Sequence, residues 1–149
     1  MNTLINRISH TNTGLDSITL RLGAGIIFAA HGAQKLFGWF GGYGLEGTAG
    51  WLDSIGLGPG LLMASLAGGA EFFGGLLLII GLMVRPAALV LAFTMLAAIV
   101  SVHLSNGLFM SNNGYEFALA LLAISAALVF RGAGSLSLDQ LLHKLTNAT

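Results

Sequence analysis

Cysteine is absent from this chain, and charge is scarce. Without a thiol there can be no disulfide, no thiolate-bound metal and no dithiol redox chemistry. Any redox role must therefore borrow its electron carrier. Charged residues make up 8% of the 149 positions, where a soluble domain carries about 25%, so there are too few to wet a globular surface. The six basic and six acidic residues cancel. No basic face remains to hold a phosphate backbone, and nucleic acid is not an expected partner.

What fills the space is hydrophobic, 55% of the chain, and it is gathered into four apolar stretches over residues 18–37, 61–84, 86–104 and 115–130. Each is near the ~20 residues with which an α-helix crosses the hydrocarbon layer of a bilayer. Lipid offers no partner to an unpaired backbone group, and the stretches lack the alternation of barrel strands, so helices are the expected form. The polar start, Met1 to Asp16, leads into the first stretch without a small-residue cleavage site. That stretch reads as a retained membrane helix that doubles as the targeting signal.

The breaks carry stop signals. Residues 38–60 hold nine glycines together with Trp39, Tyr43 and Trp51, an irregular loop with aromatic anchors at headgroup level. Arg85-Pro86 predicts a tight turn. Asn106-Gly107 and Asn112-Asn113-Gly114 bound the third loop. Four crossings put Arg7, Arg21, Arg85, Arg131 and Lys144 on one face, with Lys35 alone leaning to the other, and the positive-inside rule makes that face cytoplasmic, both termini included. Ser137 with Gln140 has capping-box spacing ahead of Leu138, Leu141, Leu142 and Leu145, which predicts a short amphipathic interfacial helix over residues 137–146. The expected fold is thus all-α, one membrane domain over residues 1–149, a transmembrane four-helix bundle in the cell (inner) membrane.

Ionisable groups inside a membrane helix cost several kcal/mol unless paired or wetted, so each one calls for a reason. Here they are Arg21, His31, Lys35, Glu71, His103 and Glu116. By depth, His31 and Lys35 fall within roughly 10 Å of the outer edge and Glu71 roughly 15 Å inward of it. His103 and Glu116 sit at the outer helix ends. Arg21, Phe28, His31 and Lys35 share a side of the first helix, and Ala64, Gly68 and Gly75 share the side of Glu71. Below Glu116, Ala120, Ala123 and Ala127 form a similar small-residue stripe. The charged faces are therefore expected to be the packing faces. Arg21, at the inner edge, is expected to snorkel to the cytoplasmic headgroups, or else to reach inward to an anionic group.

Three readings of the cluster stay open. It can be glue that fixes helix register, a site where carboxylate and imidazole exchange protons with a carrier, or a metal site, since imidazoles and carboxylates suit iron, zinc or copper. No HxxxH or ExxH spacing supports the last, and no metal ligand is assigned. The aromatic segment Gly38 to Gly44 is read as an interfacial anchor in preference to a lid over the cluster.

The run Arg21-Leu22-Gly23 through Phe28-Ala29-Ala30-His31-Gly32-Ala33-Gln34-Lys35-Leu36 resembles the opening signature of the DoxX family of small four-helix membrane proteins. Glu71 with Gly74-Gly75, the sequence Asn113-Gly114-Tyr115-Glu116, and the closing Gly134-Ser135-Leu136-Ser137-Leu138-Asp139 are also similar to that family. The resemblance implies a four-helix fold and one of several roles, among them a subunit of a thiosulfate:quinone oxidoreductase and membrane partners of redox or detoxifying enzymes. It carries a binding role to Arg21, His31, Lys35, Glu71 and Glu116, to which depth adds His103. The expected function is an accessory membrane subunit of a quinone-linked redox system, with quinone as the expected carrier, a redox enzyme as partner and self-association permitted by the small-residue faces. The missing cysteine argues against catalysis by this chain alone and leaves its standing as an enzyme open. The alternative is a small-solute or proton transporter or channel, or a partner-binding scaffold with a purely structural charge cluster.

Overall fold

A computed structural model describes residues 14–147, with the side chain of Asn147 left out, and among them every regular element is helical. The main helices are α1 (Asp16–Phe37), α2 (Gly44–Ser54), α3 (Gly60–Ile80), α4 (Val84–Ala98), α5 (Glu116–Arg131) and α6 (Leu138–Asn147). Arg7, one of the residues used to orient the chain, lies outside the described residues. Two helical stretches, Gly60–Ile80 and Val84–Asn106, are long and apolar enough to cross a membrane. Length and composition do not single out α1, which carries Asp16, Arg21 and Lys35, or α5, which has 16 residues.

Large apolar side chains point outward from all four long helices, including Ile26, Phe73, Phe93 and Phe130, the last two 72% and 77% exposed. Such a belt is unfavourable in water and compatible with lipid tails. Inside, Ala24, Phe28, Leu78, Leu91, Leu121 and Leu128 form one buried core. With lipid outside, apolar burial does little to drive helices together, and close packing at small residues does the work instead. The α1–α3 seam shows it. A Cβ added at Gly25 would meet the Gly75 carbonyl oxygen at 2.8 Å, and one at Gly75 would meet Gly25 O at 2.7 Å, so the two backbones touch. Gly32 in turn lies on the backbone of Phe72. Gly32→Ala and Gly75→Ala are each expected to cost ~1–3 kcal/mol as overpacked variants. Gly23→Ala, where an added Cβ meets nothing within 4 Å, should be neutral or stabilising by up to ~1 kcal/mol. Unfolding in detergent micelles measures the contrast, and equal effects at Gly23 and Gly75 would contradict the seam.

Several expectations need correction. Residues 38–60 are not one irregular loop, because they contain α2. Leu45, Thr48, Ala49 and Leu52 recur at helical spacing, and Ala49 and Leu52 pack on Ala64 of α3. The turn expected at Arg85-Pro86 lies instead at Gly81-Leu82-Met83: Gly81 takes a left-handed φ of 71° to end α3, and Arg85 and Pro86 already belong to the first turn of α4. Past Ala98 the third apolar stretch widens into a π turn, Ile99–His103, before a 3-10 turn to Asn106. The face of α5 that is buried runs through Ala118, Leu121, Ser125 and Leu128, and Ala120 and Ala123 point outward. The alanine stripe is therefore not the packing face, which alternates small Ala118 and Ser125 with Leu121 and Leu128.

The charged residues at the end of the molecule that holds Arg21 are held by neighbours. Arg85 Nη1 donates to Val129 O at 2.6 Å, and Arg131 pairs with Asp16. Arg21 does not snorkel. It is 1% exposed and donates from Nη2 to Leu136 O at 2.7 Å, while Nε and Nη1 have no hydrogen-bond partner. Asp139, also buried, is the acidic group whose charge acts on Arg21. Its carboxylate accepts the N–H groups of Met83 and Val84 at 2.8 and 3.0 Å, capping α4 from 55 residues away in sequence. Ser137 accepts the Gln140 N–H at 3.2 Å, the first half of the expected capping box. The second half is missing, since Gln140 Oε1 has no partner.

Candidate functional site

α1 packs most closely on α3 and α4 on α5, and between these two pairs, at the end away from Arg21, lies a cavity of about 480 Å³. Glycine packing sets its charged wall. Because Gly25, Gly32 and Gly75 let α1 and α3 run in backbone contact and Gly68 makes room for the side chains of Lys35 and Leu36, Lys35 reaches across the seam to Glu71, Nζ to Oε2 at 2.5 Å. The Glu71 side chain is 5% exposed and that of Lys35 29%. A carboxylate so buried is tolerable only with its counter-charge in place.

The other walls are mostly apolar. Phe28, Met95 and Leu121 lie toward the core, Leu52 and Leu57 toward α2, and Trp51 and Met63 at the side. His31 lines the cavity with its ring 5.8 Å from that of Phe117, tilted. His103 lines it from the π turn of α4. Thr94 and Ala98 reach the cavity from the α-helix before it, and the wide turn, which shifts the register, adds Ser101 and His103. His103 Nδ1 lies 2.9 Å from the Asn113 carbonyl oxygen, which also accepts Asn106 Nδ2 at 3.3 Å. Asn113 itself takes a left-handed φ of 59°, the conformation asparagine tolerates better than most residues.

Of the six residues singled out from sequence, four line this one cavity: His31, Lys35, Glu71 and His103. Arg21 does not, being at the opposite end. Glu116 does not line it either. Its carboxylate accepts the Met110 N–H at 2.6 Å and so braces the loop that forms the cavity's rim. Thr48 and Trp51 of α2, Phe117 and the Asn113 carbonyl were not singled out. The helical spacing of Leu45, Thr48, Ala49 and Leu52 was a legible signal for the first two. Trp39, Phe40 and Tyr43 stay outside the lining and exposed, with the Phe40 carbonyl accepting Gln34 Nε2 at 3.2 Å. Among the described residues no three His, Asp or Glu side chains converge as metal ligands.

Such a cavity has room for one small, largely apolar molecule, and its polar lining is a paired ammonium and carboxylate with two imidazoles. The family model described as DoxX matches residues 17–104, a span that holds five of the six charged or imidazole groups above. A Bacillus subtilis protein named "Putative oxidoreductase CatD" is 35% identical over 130 residues, covering 87% of this chain and 89% of that one. Two uncharacterized Haemophilus influenzae proteins are 36% identical over 80 residues (54% of this chain, 53% of the relative) and 37% identical over 109 residues (67% and 81%). No solved structure matches the chain.

Proposed function

The chain belongs to the DoxX family of membrane proteins, and from that premise we propose that it is an accessory membrane subunit of a quinone-linked redox system. In this reading the whole chain is one domain of the cell (inner) membrane, with α1, α3, α4 and α5 crossing it as a four-helix bundle. Both termini are cytoplasmic, because Arg21, Arg85, Arg131 and Lys144 share one end, and the leucine face of α6 lies in the inner interface. A lipid-soluble, quinone-type carrier enters the cavity from the membrane. Glu71 and His31 exchange protons with its oxygens, and Lys35 steadies the charge on Glu71. Electrons come from a partner enzyme, since this chain has no cysteine and proton exchange is what its carboxylate and imidazoles can offer.

The observation that carries the reading is the Lys35–Glu71 pair, its carboxylate buried, on the wall of a mostly apolar cavity. Its relative named as an oxidoreductase agrees with a redox association. The test is binding of a short-chain benzoquinone to detergent-purified protein, read by quenching of Trp51. Glu71→Gln should weaken binding at least tenfold, the worth of about 1.4 kcal/mol. Unchanged binding would remove the proposal.

A transporter or channel is the other class, and one observation disfavours it. Beyond the cavity floor, Leu78, Leu91 and Leu128 are fully buried apolar residues on the way to the other end, and the single Ser125 hydroxyl buried on α5 between Leu121 and Leu128 does not make a continuous polar path. Proteoliposomes should therefore show no flux of protons or small solutes, and flux that Glu71→Gln abolishes would favour that class instead.

A further inference from the structure

A carbonyl oxygen only accepts hydrogen bonds, so the 2.9 Å contact between His103 Nδ1 and Asn113 O requires the proton on Nδ1. In neutral His103, Nε2 is then a bare acceptor, and it is the ring nitrogen left for a ligand. The arrangement is built. Asn113 adopts φ 59°, and its carbonyl gathers both His103 and Asn106, which binds the rim loop to the end of the π turn.

The remaining polar groups define what such an acceptor would meet. The Thr48 hydroxyl donates to Lys35 O at 3.4 Å and the Thr94 hydroxyl to Val90 O at 2.9 Å, so both spend their hydrogens on backbone. Glu71 accepts from Lys35, and the Lys35 ammonium keeps further hydrogens for a ligand oxygen. The cavity thus presents a donor at Lys35 and an acceptor at His103, besides the second Glu71 oxygen and the His31 ring on the same wall as Lys35. A dione has two acceptors and no hydrogen to give, so it would offer nothing to the Nε2 of the half-buried His103. A ring bearing hydroxyls answers both.

Resting on the reading that the cavity binds a quinone-type carrier, we infer that it takes that carrier in its reduced, hydroxylated state, with His103 Nε2 accepting a ring hydroxyl hydrogen. His103 is accordingly the residue that selects the redox state of the ligand. Selection acts through a hydrogen bond that only the hydroxylated form can donate, which is worth about tenfold in affinity.

Three probes decide it: a decyl-benzoquinone, the corresponding hydroquinone kept anaerobic, and the bis-methyl ether of that hydroquinone, each titrated by Trp51 quenching. Wild-type protein should bind the hydroquinone about tenfold more tightly than the other two, and His103→Phe should reduce that preference to near unity. Equal affinity for all three, lowered by Glu71→Gln, would overturn the inference while leaving the proposed function standing. Failure of every probe to bind would overturn both. Should His103→Phe not fold, nitrogen-15 histidine spectra of the wild-type protein at alkaline pH serve instead. They should show one ring with a protonated Nδ1 and an unprotonated Nε2, the latter shifting when hydroquinone is added. Absence of such a ring would overturn the inference independently of any ligand.

Discussion

Lys35→Met is expected to destabilise the protein by ~3–5 kcal/mol, because it strands the Glu71 carboxylate in the packed interior without its counter-charge. The cost belongs to Glu71, whose side chain is 5% exposed, rather than to Lys35, whose side chain is 29% exposed and partly hydrated. Replacing both partners, Lys35→Met with Glu71→Leu, should recover most of that loss, since apolar groups of similar volume commonly substitute for a buried pair without penalty. The double variant should nevertheless bind no carrier, which separates the pair's structural part from its functional part. Denaturant unfolding in micelles measures the first and probe titration the second. A cost for Lys35→Met below about 1 kcal/mol would mean that the pair behaves as a wetted surface bridge, and the buried charge on which the proposed function depends would be lost.

Asp139→Ala should cost a similar ~3–4 kcal/mol, at the other end of the molecule. Two backbone donors at the start of α4 lose a charged acceptor, each such bond being worth ~1.5–3 kcal/mol. Arg21, buried with two nitrogens already unpartnered, loses the negative charge that acts on it. Asp139→Asn keeps one acceptor oxygen and should fall between. The same aspartate ties the C-terminal segment to the α3–α4 turn, its own N–H donating to Gly81 O at 2.9 Å. Limited proteolysis should therefore cut the chain between Gly132 and α6 faster in Asp139→Ala than in the wild type. Carrier affinity, set at the opposite end, should be unchanged. An Asp139→Ala protein as stable as wild type, with its C-terminal segment equally protected, would show that the cap contributes little.

Much of the site was legible because one physical rule governs it. A charge placed in an apolar helix needs a partner, so His31, Lys35, Glu71 and His103 stood out one by one, and the small residues beside Glu71 marked the face that packs. Ala64, Gly68 and Gly75 are indeed buried there. The same reasoning misplaced the packing face of α5, where Ala120 and Ala123 lie outward and Ala118, Leu121 and Leu128 turn inward. It also sent Arg21 to the headgroups, because the groups that hold it, Leu136 and Asp139, lie more than a hundred residues away in sequence. Helix α2 was hidden by its glycines, although the spacing of Leu45, Ala49 and Leu52 was on view.

The amino-acid sequence by itself determined that this is a helical membrane protein of the DoxX family. Apolar stretches with almost no charge cannot stay in water, and lipid leaves the backbone of an open chain no pairing but its own. Tertiary structure alone decided which charged groups meet. Backbone contact at Gly25 and Gly75 sets the rotation of α1 against α3 that joins Lys35 to Glu71. The π turn and the Asn113 carbonyl aim His103, while a long-range cap buries Arg21 away from the cavity. Periodicity reports which side of a helix is distinctive, but the angle at which two helices cross depends on the side chains of both, and no single stretch of sequence contains it.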